Sequence, residues 1–354
     1  MYKEIEIINT DFDNKYLIRL NDKTMQVGFM VKDIVEFLKE EKSSREMQNH
    51  FKRKYELLID QYVIDDIIEN KINPFVIKHV DTSFNKILTL FNPSVLSVPK
   101  IILEIFSRLF FYTSGLILFL FNGYFYYESI RYKTNSVFEA GIVYTVLLSV
   151  LLLHEMGHFL AAKKYDTNVR EIGLGWYIFL PVFYIDLNEV WKLSSKKRII
   201  INLSGIYMQL VCGILLLLLS LFVNQYSNVF MAAFFMNFSI VILNLNPFLK
   251  FDGYWVLSDL LEGKDLNSVS NRIMRKWLCF KKSEEESVMI VYTMLRMVFM
   301  IFIISTFIRL LFMSIYRICM TGKMDSSGIF VTVLVTVFLY RIFKKRKIKK
   351  DELT

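Results

Sequence analysis

Two stretches of this chain, Ile199–Val223 and Val229–Leu249, run for 25 and 21 positions without one charged residue. About 20 apolar residues in an α-helix cross the hydrocarbon core of a bilayer. In lipid every backbone N–H and C=O must be paired within such a segment. A chain carrying these stretches is therefore confined to a polytopic α-helical membrane protein. Ile101–Phe121, Val137–Ala162 and Val288–Phe312 read as further spans, and Ser327–Tyr340 as a shorter sixth. Glu104 and Arg108 stand four apart near the start of their span, a spacing that pairs charges on a helix. Arg296 falls about 12 Å into its own span, where it either partners a substrate carboxylate or a buried acid or snorkels to the cytosolic face.

Composition agrees. The 354 residues are 54% hydrophobic and 16% aromatic, which suits helices in lipid with aromatic belts at the interfaces. The net charge of +9 does not point to nucleic acid, because the excess sits in loops flanking apolar segments. Loops 163–198 and 250–287 and the tail 341–354 together carry 21 Lys and Arg, against four in the alternate loops. By the positive-inside rule the basic side is cytosolic. Six spans with both termini in the cytosol satisfy that asymmetry. The first 30 residues hold Glu4, Glu6, Asp11, Asp13 and Asp22 and lack an apolar core, so no secretory signal is expected there. Few Gly and Pro beside many Lys, Ile and Asn suit an AT-rich bacterial genome, and hence a bacterial cytoplasmic membrane. Cys212, Cys279 and Cys319 form no CxxC pair and read as free thiols.

Within the Val137–Ala162 span lies His154-Glu155-Met156-Gly157-His158. Residues four apart share a helix face about 6 Å apart along the axis, so both imidazoles can reach one zinc ion, with Glu155 beside the first as a base for water. His158 precedes Lys163 by five residues, which puts the ion about 8–12 Å below the cytosolic surface. A catalytic zinc takes a third protein ligand. His50 and His79 are the other two histidines, and both read as surface or linker residues. Asp252 is the better candidate. It follows the uncharged span in Asn246-Pro247-Phe248-Leu249-Lys250-Phe251-Asp252-Gly253, at the membrane depth of the HExxH. Pro247 breaks the helix, Gly253 permits a turn, and irregular backbone is tolerated there where it lines a polar cavity. The alternative for Asp252 is an interfacial carboxylate facing solvent.

HEMGH in one span and NPFLKFDG at the end of a later one resemble the site-2 protease family of intramembrane zinc metalloproteases. The resemblance covers about residues 100–340. It implies Zn²⁺ held by His154, His158 and Asp252, with Glu155 as general base. It also implies that Val169–Leu193, with Gly173 and Gly175, is a membrane-associated β-hairpin that presents an extended substrate. Arg198–Gln209 is similar to the family's GPxxN segment, with Ile206 and Gln209 in place of Pro and Asn; Gln209 and Asn246 are the substrate-contact candidates, Asn246 toward the oxyanion.

Residues 1–80 read as a small N-terminal α+β cytosolic domain. Glu4–Ile8, Lys15–Leu20 and Met25–Met30 are strands, the last two flanking the turn signal Asn21-Asp22. Helices follow at Val31–Lys42, Ser44–Tyr55 and Asp60–Asn70, the last two with capping residues. The βββααα order is winged-helix-like. It resembles a PqqD-like recognition element, which implies a peptide leader added as a strand to Met25–Met30 and packed on Asp60–Asn70, so that Met25 and Met30 flank the substrate. Residues 81–99 form an interfacial linker with Ile87, Leu88, Leu90 and Phe91 on the membrane surface. Residues 100–343 form the transmembrane zinc metalloprotease domain, and 344–354 a basic tail. NPFLKFDGYWVLSD is similar to peptide zinc metalloproteases found with peptide-modifying enzymes and exporters. The expected activity is hydrolysis of a small ribosomally made precursor peptide, with such an enzyme or exporter as partner. The alternatives are cleavage of a membrane-bound signalling protein and a non-catalytic export accessory.

Overall fold

The computed structural model describes residues 2–20, 23–77, 84–134, 136–177, 180–261, 265–280 and 285–321. The sixth candidate span, the basic tail, His79 and the Asn21-Asp22 turn lie outside them. The chain forms two units, 1–263 and 264–354.

The first unit opens with a three-stranded antiparallel sheet in the order β1-β2-β3, from β1 (Glu6–Asn9), β2 (Lys15–Leu20) and β3 (Lys23–Gly28). Its register runs Tyr16↔Val27 and Ile18↔Met25, which leaves β3 at an edge. Helices α1 (Phe29–Lys39), α2 (Ser44–Tyr55) and α3 (Gln61–Ile67) follow, and one π turn, Ile68–Ile72, joins α3 to a short α4 (Asn73–Ile77). The Glu46 carboxylate accepts the Ser43 N–H at 2.8 Å and so starts α2. Ile5, Ile18, Ile34, Met47, Phe51, Ile64 and Ile72 are buried together, with Met25 and Met30 packed at the margin of this core. The expected strand and helix order is present. His50 bonds Asp33 at 3.0 Å on this small core.

The linker differs from expectation. Residues Phe84–Phe91 form β4, which pairs with β5 (Ile172–Tyr177), itself paired with β6 (Leu180–Ile185). The expected hairpin is there, and the linker adds a third strand to it. Ile87, Thr89 and Phe91 are good strand formers, so this apolar run suits a pleated strand as well as a membrane surface. Ile87, Leu88 and Leu90 remain exposed along β4.

Five helices in the described residues are long and apolar enough to cross a membrane: α6 (Arg108–Ser129), α7 (Val137–Lys164), α8 (Ser195–Phe222), α9 (Ser227–Asn244, with the preceding 3-10 turn) and α12 (Ser287–Thr321). The first span is shifted from its expected place. A short α5 (Lys100–Leu103) and a 3-10 turn through Phe106 precede extended Ser107, and the long helix begins only at Arg108. Glu104 and Arg108 therefore do not share a helix face, and Glu104 instead pairs with Lys164 at 2.5 Å. Ser136 caps α7 by accepting the Glu139 N–H at 3.1 Å.

Helix α9 ends at Asn244. A turn then leads to α10 (Asp252–Leu260). The second unit contains α11 (Leu266–Leu278) and α12. Arg296 donates to Asn271 Oδ1 at 3.0 Å, tying α12 to α11, so this cation has a polar neighbour at the helix pair.

The small sheet is fastened to the connector that leads into α8. Arg19 donates to Glu189 at 2.5 Å and also pairs with Glu6. Asp11 Oδ2 accepts the Ser194 N–H at 3.0 Å and Lys197 Nζ at 2.7 Å, and the Asp11 N–H reaches Lys192 O at 2.7 Å. The contacts of Arg19 with Glu189 and of Asp11 with Ser194 and Lys197 join residues 170 or more positions apart.

Candidate metal centre

Two helices bring three side chains to one point. Helix α7 supplies His154 and His158 one turn apart. Their Nε2 atoms lie 3.1 Å from each other. The first residue of α10 supplies Asp252, whose Oδ2 is 3.3 Å from His154 Nε2 and whose Oδ1 is 3.6 Å from His158 Nε2. Tetrahedral zinc ligands with bonds of about 2.0–2.1 Å stand about 3.3 Å from one another. All three residues meet that spacing, and they are the group of His, Cys, Asp and Glu among the described residues able to hold a metal ion. Asp252 Oδ2 is also buried without a hydrogen-bond donor, an orphaned acceptor of the kind a cation satisfies.

Both imidazoles are held from behind. His158 Nδ1 lies 2.7 Å from the Ile201 carbonyl, which can only accept. His154 Nδ1 lies 3.0 Å from Gln209 Oε1. Each Nδ1 therefore carries the proton, and each Nε2 turns a lone pair toward Asp252, the usual device for orienting a ligating histidine.

Gln209 is itself fixed. Its Oε1 also accepts Asn244 Nδ2 at 3.1 Å, and its backbone carbonyl accepts Asn237 Nδ2 at 2.9 Å. Asn237 and Asn244 thus join α9 to α8. Gln209 is fully buried and turned toward His154, a place its sequence reading as a substrate contact did not foresee. A polar residue inside an uncharged span was the signal present in the sequence; which neighbour it faces is a tertiary fact.

Two glycines make the convergence possible. A Cβ at Gly205 would lie 2.5 Å from His158 Nε2 and 2.7 Å from His154 Nε2, within the space the two nitrogens face. A Cβ at Gly253 would lie 2.3 Å from the Leu245 carbonyl oxygen. The start of α10 rests directly on the end of α9, and only glycine lets Asp252 come that close. The sequence reading assigned Gly253 to a turn; its role here is close approach.

The remaining candidates are placed as follows. Glu155, next to His154, is half-buried, and its carboxylate has no hydrogen-bond partner among the described residues. Asn246 Oδ1 accepts the N–H groups of Phe248 at 2.8 Å and Leu249 at 3.3 Å, shaping the turn before Asp252. Met25 and Met30 belong to the N-terminal core margin and are not part of this cluster.

Residues 142–227 match peptidase family M50. A protein of Bacillus subtilis (strain 168) named "Putative peptide zinc metalloprotease protein YydH" is 29% identical over 235 residues, spanning 64% of this chain and 86% of that protein. The "Zinc metalloprotease MJ0392" of Methanocaldococcus jannaschii is 28% identical over 134 residues, 37% of each. No solved structure matches the chain significantly.

Proposed function

We propose that this chain, a membrane zinc metalloprotease of the site-2 protease family, hydrolyses a peptide bond in a small ribosomally made precursor peptide at the cytosolic membrane face. The observation that carries the chemistry is the meeting of His154, His158 and Asp252 beside Glu155. The name of the Bacillus relative, which calls that protein a peptide metalloprotease, supports the substrate class.

In this reading His154 and His158 give Nε2 and Asp252 gives a carboxylate oxygen to the metal. Gln209 and Ile201 keep the two rings in register by holding their Nδ1 protons. Zinc bound there supplies a Lewis acid for water and for the scissile carbonyl. The Glu155 carboxylate takes a proton from the attacking water and delivers it to the leaving amine nitrogen. Asn246 has its Oδ1 occupied by the turn, so its Nδ2 is the group left to donate to the developing oxyanion. The charge asymmetry of the loops favours both termini, and the basic loops that follow His158 and Leu249, on the cytosolic side.

The N-terminal residues 1–80 act in this reading as a PqqD-like leader-binding module. Edge strand β3, which contains Met25 and leads into Met30 at the start of α1, can accept a further strand. A peptide-modifying enzyme or exporter would act on the same precursor.

The test is incubation of the full chain, in vesicles, with the small peptide encoded beside it. Mass spectrometry should show cleavage by the wild type and none by Glu155→Ala. Adding the leader segment alone should inhibit. Cleavage of a single-span signalling protein, with the peptide left intact, would replace this reading by regulated intramembrane proteolysis.

A further inference from the structure

Arg198 and Asp259 form a buried ion pair that the hydrolytic chemistry does not use. Each is 5% exposed. Asp259 Oδ1 accepts Arg198 Nε at 2.8 Å and Nη2 at 2.5 Å, and Oδ2 accepts Asn202 Nδ2 at 3.3 Å. The other donors of the guanidinium reach the Leu193 carbonyl at 2.8 Å and Ser195 Oγ at 3.2 Å. The Trp191 ring covers it at 5.0 Å, and Trp191 meets Trp255 of α10 edge-on at 5.8 Å.

Desolvating two charges costs several kcal/mol per ion, so such a pair is poor evidence of stabilisation. Its position suggests another reason for its presence. Asp259 lies seven residues after Asp252 on α10. Two turns return a side chain to the same face, about 10.5 Å along the axis. Arg198 lies one turn before Ile201, whose carbonyl holds His158. One turn of α8 therefore fixes a histidine through a backbone oxygen and fixes α10 through the ion pair. At its start, α10 is fixed by the contact of Gly253 with Leu245.

We infer that Arg198 and Asp259 are positioning residues that set where α10 presents Asp252 to the two histidines, and so tune zinc affinity. The inference rests on the metal-site reading above. Tyr254 of α10 is fully buried, but apolar packing is non-directional and leaves the helix some freedom to slide or rotate against α8. The fork of Arg198 on the Asp259 carboxylate removes that freedom with directional bonds, which an ammonium supplies less well.

The test is zinc affinity of the full chain in detergent by chelator competition, with thermal unfolding of the metal-free protein measured alongside. Asp259→Asn should bind zinc about 10- to 100-fold more weakly, the range for partners that orient metal ligands. Arg198→Lys should fall between that variant and wild type. Asn202→Ala, a milder change, should lower affinity several-fold if the first two fold poorly. Asp33→Asn, in the N-terminal core, should lower stability and leave zinc affinity unchanged. Wild-type affinity in Asp259→Asn and Arg198→Lys would overturn the inference. So would an equal loss in Asp33→Asn, since general destabilisation would then explain the effect. His154→Ala separates the premise: retention of tight zinc by that variant would remove the metal-site reading itself.

Discussion

Gln209 Oε1 lies 3.0 Å from His154 Nδ1, inside the packing of α7 on α8. The same oxygen also accepts Asn244 Nδ2. The amide oxygen is therefore pinned on the side away from the metal group, and the imidazole has one tautomer available. Gln209→Ala should lower zinc affinity about 10- to 100-fold while the protein still inserts and folds. Chelator competition on the purified protein reads this directly. Unchanged affinity would mean that the packing of α7 alone orients the ring.

Gly205 supplies a sharper contrast between folding and chemistry. Alanine is the better helix former by about 1 kcal/mol, so Gly205→Ala should not weaken α8. Its methyl would nonetheless stand 2.5 Å from His158 Nε2. The expected outcome is a folded protein that fails to retain zinc and does not cleave. Gly253→Ala should behave differently, because its methyl would meet the Leu245 backbone at 2.3 Å. That variant should be destabilised as well as inactive. Thermal unfolding and metal content, measured together, distinguish the two.

The clamp between the small sheet and the α8 connector predicts a pH dependence. Burial pulls the Glu189 carboxyl upward, but hydrogen bonds and attraction from Arg19 and Lys192 outweigh it and hold it below its ordinary 4.5. A depressed carboxylate stabilises the fold above its unfolded value, and that contribution is lost as pH falls through the folded one. Glu189→Gln should therefore cost about 3 kcal/mol at neutral pH, as breaking a buried pair does. The gap from wild type should close as pH drops below 4.5. A gap that did not change with pH would show that the pair carries no net charge stabilisation.

Much of this arrangement was legible in the sequence because it depends on local periodicity. The HExxH spacing fixes two imidazoles on one face of any helix. Asp252 stands out because it follows an uncharged span that ends at Leu249, between the helix breaker Pro247 and the turn former Gly253. Strand β2 and helix α2 fall at their expected bounds, Lys15–Leu20 and Ser44–Tyr55. What periodicity could not supply were partners far along the chain. Strand β4 reads equally well as an interfacial segment until β5 is there to pair with it. The start of α6 was misplaced because Ile101–Phe106 is as apolar as the helix it precedes, and only the extended Ser107 marks the break. The partners of Gln209, Arg19 and Arg198 are set by how helices and sheet pack, which no single-residue pattern encodes.

In the proposed mechanism His154, His158 and Asp252 hold the zinc and Glu155 moves the proton. Zinc content and peptide cleavage, measured together for the wild type, His154→Ala and Glu155→Ala, separate the two roles. The expected outcome is stoichiometric zinc in the wild type and in Glu155→Ala, zinc loss in His154→Ala, and cleavage by the wild type alone. Cleavage by Glu155→Ala, or full zinc in His154→Ala, would contradict it.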